Sequence, residues 1–104
     1  MELNHIFVTQ RRLRNVSQLP DLIREVGSSL RLPPVILGEL EDGTVFIIDG
    51  HHRCLAFHLS GRTSLRWGEY LLCQVDQPKA MFGRLTDPNV VDRLLCRPGL
   101  HLEE

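Results

Sequence analysis

The apolar positions of this chain change their period several times, and each change predicts an element. HIFV, His5 to Val8, is a short β-like run, followed by a polar, arginine-rich stretch up to Val16. SQLPDLIREVGSSL then sets Leu19, Leu22, Ile23 and Val26 at helical spacing, which gives one apolar face. Ser17 or a neighbour can cap this helix, Pro20 fits a first turn where its missing N–H is not needed, and Gly27 ends or loosens it.

LPPVILGELEDGTVFIIDG reads as a hairpin. Val35 to Leu37 form one strand and Val45 to Ile48 the next, with Asp42-Gly43 supplying the positive φ of a tight turn between them. Val45 to Ile48 is continuously apolar, as expected of a central strand buried on both faces. Gly50 opens a helix that runs to about Ser60, and Gly61 is placed as its left-handed stop. GEYLLCQVD predicts a last strand over Glu69 to Val75. In TDPNVVDRLL, Asp87 can cap a final helix, Pro88 suits its first turn, and Val90, Val91, Leu94 and Leu95 supply its apolar face. The order β-α-β-β-α-β-α predicts an α+β domain, a small mixed β-sheet with flanking helices.

The 104 residues suffice for one compact domain with a single modest core, so residues 1–104 are read as one unit. The formal net charge of −1 gives no global basic field for nucleic acid. The arginines are nonetheless clustered: Arg11, Arg12 and Arg14 lie together and could meet phosphates. No apolar run approaches the roughly 18 residues that span a membrane, and MELNHIFV lacks the basic start and long apolar stretch of a signal peptide. Cys54, Cys73 and Cys96 are odd in number and far apart, which fits reduced thiols in a cytoplasm better than a disulfide framework.

The densest chemistry lies in VFIIDGHHRCLAFHLSGR, Val45 to Arg62. A metal reading would use His51, Cys54 and His58 on one side of a helix. His51 and His58 are two turns apart, however, roughly 10 Å at the helical rise, and Cys54 is expected to face the sheet with Phe57. A phosphate reading uses the free N–H groups and positive dipole end of the helix, with Gly50 allowing close backbone approach. Arg53 can hold two phosphate oxygens and His52 can donate to another. The bland alternative is Asp49 as a cap with solvated cations beyond it. Cationic side chains at a helix N-terminus oppose its dipole, which favours an anion there. No nucleophile elbow and no Walker-type loop is present.

The stretch SQLPDLIREVGSSLRLPPVILGELEDGTVFIIDGHHRCLAFHLSGR resembles the ParB/sulfiredoxin superfamily in its order of helix, strand, DG turn, strand, glycine motif and helix. The G-E-R-R motif of ParB N-terminal domains lines up with Gly50, His51, His52 and Arg53, and the G-G-C-H-R of sulfiredoxins with Asp49 to Arg53. The resemblance covers roughly residues 17–75; residues 76–104 are a C-terminal extension with one predicted helix. It implies that Gly50, His52 and Arg53 contact the phosphates of a nucleoside triphosphate, CTP or ATP, with Mg2+. His51 stands where sulfiredoxins have their catalytic cysteine, so sulfiredoxin chemistry does not fit. The helix-turn-helix that follows in full-length ParB proteins is not in this chain.

The leading expectation is therefore a nucleotide- or phosphate-binding domain. Gly50, His52, Arg53 and one or more of Arg11, Arg12 and Arg14 would hold the ligand. If a reaction occurs it is phosphoryl transfer or phosphodiester cleavage with Asp49 or His51 as base. No dedicated protein metal site is expected. Two other readings stand beside it: a non-catalytic module that presents its sheet edge or last helix to a partner protein or a twin copy, and a nuclease on DNA, against which the near-neutral charge argues.

Overall fold

The computed structural model describes residues 1–27 and 32–95. Ser28 to Leu30, the end expected for the first helix, and Cys96 lie outside these residues. Four strands and three α-helices follow in the order β1 Ile6–Phe7, α1 Leu19–Gly27, β2 Val35–Glu39, β3 Val45–Asp49, α2 His51–Leu59, β4 Tyr70–Gln74 and α3 Pro88–Leu95. Short 3-10 turns, Leu3–His5 and Val16–Gln18, precede β1 and α1. The helix expected from Ser17 thus becomes regular only at Leu19, since Ser17 lies in the preceding 3-10 turn, where its hydroxyl donates to Asn15 Oδ1.

The strands form one mixed sheet in the order β1-β3-β2-β4. β2 and β3 are the antiparallel hairpin, closed by Leu40 N to Thr44 O at 2.9 Å, with Gly43 at φ +92°. β1 runs parallel to β3, and β4 runs parallel to β2. Register shifts between Ile36 and Leu37, so that Ile36 faces Asp49 while Leu37 faces Ile47. Such a bulge bends a strand and re-aims its end; here it acts just before Gly50.

One face of the sheet carries the main core. Ile6, Val35, Leu37, Val45 and Ile47 pack with Cys54, Leu55 and Phe57 of α2 and with Val90, Val91 and Leu94 of α3. Four consecutive α2 residues, Cys54 to Phe57, are buried, so this helix is enclosed on nearly every side, with α1 against it. Gly61 turns the chain out of α2 at φ +94°. Arg62 then stacks on Phe57, 5.0 Å from the ring centre, and pairs with Glu69 at 2.6 Å, which pins the connection to β4.

The segment after Val75 is part of this core. Val8 N donates to Gly83 O and Phe82 N to Val8 O, both at 2.9 Å, and Leu85 N donates to Ile6 O at 2.9 Å. Residues 82–85 thereby cover the outer edge of β1, and Leu85 is fully buried. The Asp87 cap forms as expected, accepting from Asn89 N at 2.9 Å. Among the described residues no helix is long and apolar enough to cross a membrane.

Candidate functional site

β3 reaches α2 through a single residue. Gly50 takes φ +109° and ψ 32°, and Cys54 N closes the first helical turn on Gly50 O at 2.9 Å. A Cβ at Gly50 would lie 2.9 Å from both Val35 Cγ1 and Arg53 Nη2. Glycine is therefore required twice, for the left-handed backbone and for the space. Having no side chain, it leaves the N–H groups of His51, His52 and Arg53 uncapped.

Above this helix start lies a cleft of about 580 Å³, a size typical of small-molecule sites. It brings together Asp49, Gly50, His51, His52, Arg53 and Arg14. Arg11 and Arg12 do not reach it. The Arg11 guanidinium stacks on Phe82, 5.0 Å from the ring centre, and Arg12 is exposed; of the arginine cluster only Arg14 lines the wall. Gln10, Gln18 and Lys79 also line the cleft, and sequence reasoning missed all three. Lys79 sits in a loop beyond Val75, where no local pattern marks a lone lysine. Gln10 could have been found only from the way the arm folds back.

That arm, residues 9–15, is latched by the two histidines. Thr9 N donates to His51 Nε2 at 2.9 Å, and Asn15 N donates to His52 Nε2 at 3.2 Å. The Thr9 hydroxyl donates to Ile47 O at 2.7 Å, so its 3.3 Å approach to His51 Nε2 is not a second donated bond. An imidazole that accepts at Nε2 is neutral with its proton on Nδ1. Burial, followed by the proximity of His52 and Lys79, lowers the His51 pKa from 6.5 to about 4, against a smaller opposing pull from Asp49. His51 is only 4% exposed. It forms the floor of the cleft and a strut for the arm.

Arg53 points one amino group at Pro34 O, 3.4 Å away, and at Asp49 Oδ2, 3.6 Å away. Its Nε is buried without a protein partner, and so is Oε1 of Gln10. A buried orphan donor or acceptor costs about 1–3 kcal/mol until something meets it. Both residues line the same cleft. Cations from three separate segments, Arg14, Arg53 and Lys79, thus meet one uncapped helix start, and the arrangement can hold an anion.

The other candidates of the motif lie elsewhere. Cys54 is fully buried, and burial pushes its thiol up to about 12, which leaves it an inert core group. His58 lines a different, smaller depression with Glu2, Asn4 and Arg62. Among the described residues no group of three or more His, Cys, Asp and Glu side chains converges as metal ligands would. The chain matches no family model, no curated protein and no solved structure.

Proposed function

We propose that this chain is a ParB/sulfiredoxin-like domain that binds the phosphates of a nucleotide over the start of α2. One observation carries the reading: Arg14, Arg53 and Lys79, from distant parts of the chain, line a cleft at an uncapped helix N-terminus. The N–H groups after Gly50 would donate to phosphate oxygens, and Arg53 would clamp them with its guanidinium. Lys79 and Arg14 would close the charge from the opposite walls. His52 would donate from Nδ1, since its Nε2 already accepts from Asn15 N.

The residues fit a magnesium ion brought in with the nucleotide. Asp49, with a side chain 74% exposed at the cleft and next to Gly50, would hold it together with phosphate oxygens and water. The ion would neutralise phosphate charge. Any proton transfer is assigned to Asp49. His51 is a poor base here: its Nε2 already accepts from Thr9 N and its ring is buried, whereas Asp49 is exposed.

Isothermal titration of the full chain with inorganic phosphate, ADP, ATP and CTP, each with and without Mg2+, tests this reading. The expected result is saturable heat with at least one nucleotide, tighter than with inorganic phosphate, and largely lost in Arg53→Ala. A folded protein that gives no heat with any of them rejects the proposal.

A further inference from the structure

β4 differs from every other element of the fold in presenting uncharged, largely apolar side chains to solvent on both faces. Leu71 is 53% exposed, Leu72 39% and Cys73 is exposed, while the neighbouring Trp67 is 95% exposed. Among the described residues β4 is also an edge strand, paired with β2 alone. Natural edges are usually protected by lysine, proline, a bulge or a covering segment. Residues 70–75, YLLCQV, contain no charge and no proline.

The hydrogen-bond phase of the edge follows from its inner side. Val35 N donates to Glu69 O and Val75 N to Glu39 O, both at 3.0 Å, which brackets the parallel ladder of β2 and β4. In such a ladder the N–H and C=O of one residue point the same way, and successive residues alternate. Leu71 and Cys73 therefore face β2, while the backbone groups of Tyr70, Leu72 and Gln74 point outward.

We propose that this edge is a dimer interface, in which β4 pairs antiparallel with β4 of a second copy about a two-fold axis at Leu72. Centred there, the outward groups of residues 70, 72 and 74 form about six inter-chain hydrogen bonds, whereas centring on residue 71 or 73 forms about four. Leu72 meets its own copy, Tyr70 faces the second copy's Gln74, and Leu71 faces the second copy's Cys73. No charge is set against a like charge. Glu69 is already neutralised by Arg62 in its own chain at 2.6 Å. This self-matching pattern is what an isologous contact needs and singles out a second copy of the chain as the occupant. The two four-stranded sheets then continue as one.

The test uses the full chain in a Cys96→Ser background. Sedimentation over a concentration series is expected to show a monomer–dimer equilibrium. Leu72→Lys, which sets two ammonium groups face to face, is expected to weaken association about tenfold or more, with circular dichroism unchanged. Register is read by oxidative trapping. In Leu71→Cys with Cys73 retained, the two cysteines lie about 4.5 Å apart between Cα atoms across the axis, within disulfide reach. Neither Leu71→Cys with Cys73→Ser nor Cys73 alone brings like positions closer than about 8 Å. A covalent dimer is expected only when both cysteines are present. A chain that remains monomeric to high micromolar concentration, a dimer indifferent to Leu72→Lys, or equal trapping in the single-cysteine forms overturns the proposal. None of these readouts depends on nucleotide.

Discussion

At the start of α2 polar groups are buried, whereas along β4 apolar groups are exposed. At the first place both imidazoles accept arm amides, while Gln10 Oε1 and Arg53 Nε are buried without a partner among the described residues and the helix start is uncapped. The second has a row of outward backbone groups and nothing charged beside them. An uncapped helix start among cations suits a small anion, which accepts from each donor individually. A repeating, uncharged edge suits another strand, which can meet all of it at once. One small domain thus holds two kinds of incompleteness, and each specifies the chemistry of its complement.

The largest effect should come from disturbing the polar region at its tightest point. Gly50→Ala forces a Cβ into the left-handed region and to within 2.9 Å of Val35. Strain of about 1–2 kcal/mol plus overpacking should remove about 2–4 kcal/mol in urea denaturation. Next is acid. His51 binds its proton near pH 6.5 when unfolded but only near 4 when folded. The unfolded chain therefore holds more protons between those values. The contribution is complete above about pH 6.5 and is lost as pH falls toward 4, up to roughly 3 kcal/mol. His51→Gln, which keeps an acceptor for Thr9 N but cannot titrate, should flatten the difference between melts at neutral and acid pH.

A smaller change separates the walls of the cleft. Lys79→Met should weaken nucleotide binding about five- to tenfold in titration calorimetry, while Arg12→Met, outside the cleft, should leave it unchanged. Equal effects of the two would mean that the arm does not sit as described. The smallest effect is expected at β4. Leu71→Ser, at a position 53% exposed, should alter the stability of the monomer by less than about 0.5 kcal/mol in dilute denaturation.

The two regions were not equally legible in the sequence. The hairpin could be read because Asp42-Gly43 announces its turn and because a strand buried on both faces is apolar throughout. α1, α2 and α3 could be read from spacing and from Gly61, Asp87 and Pro88. The cluster from Asp49 to Arg53 was visible because it is contiguous. What it does was not: His51 was a candidate base, and only the return of Thr9 over it shows a buried acceptor. Lys79 and Gln10 reach the cleft through long-range packing that leaves no local period. YLLCQ illustrates the converse, since its composition suits a buried strand while its place at the sheet edge leaves it open.

The interlocking of the chain ends has a consequence for the order of assembly. Ile6 to Val8 are held on one side by β3 and on the other by residues 82–85, and Leu13 N donates to Leu94 O at 3.0 Å. On a ribosome, which releases the chain from its amino end, the hairpin and α2 can form early, but the arm over them has no second support until α3 emerges. A nascent chain stopped before Phe82 would carry Asp49 to Arg53 complete in sequence, with the arm that carries Gln10 and Arg14 held only by β3 and the two histidines. On the proposed reading, nucleotide capture would be a late event, favoured once the circuit from Ile6 to Leu94 has closed.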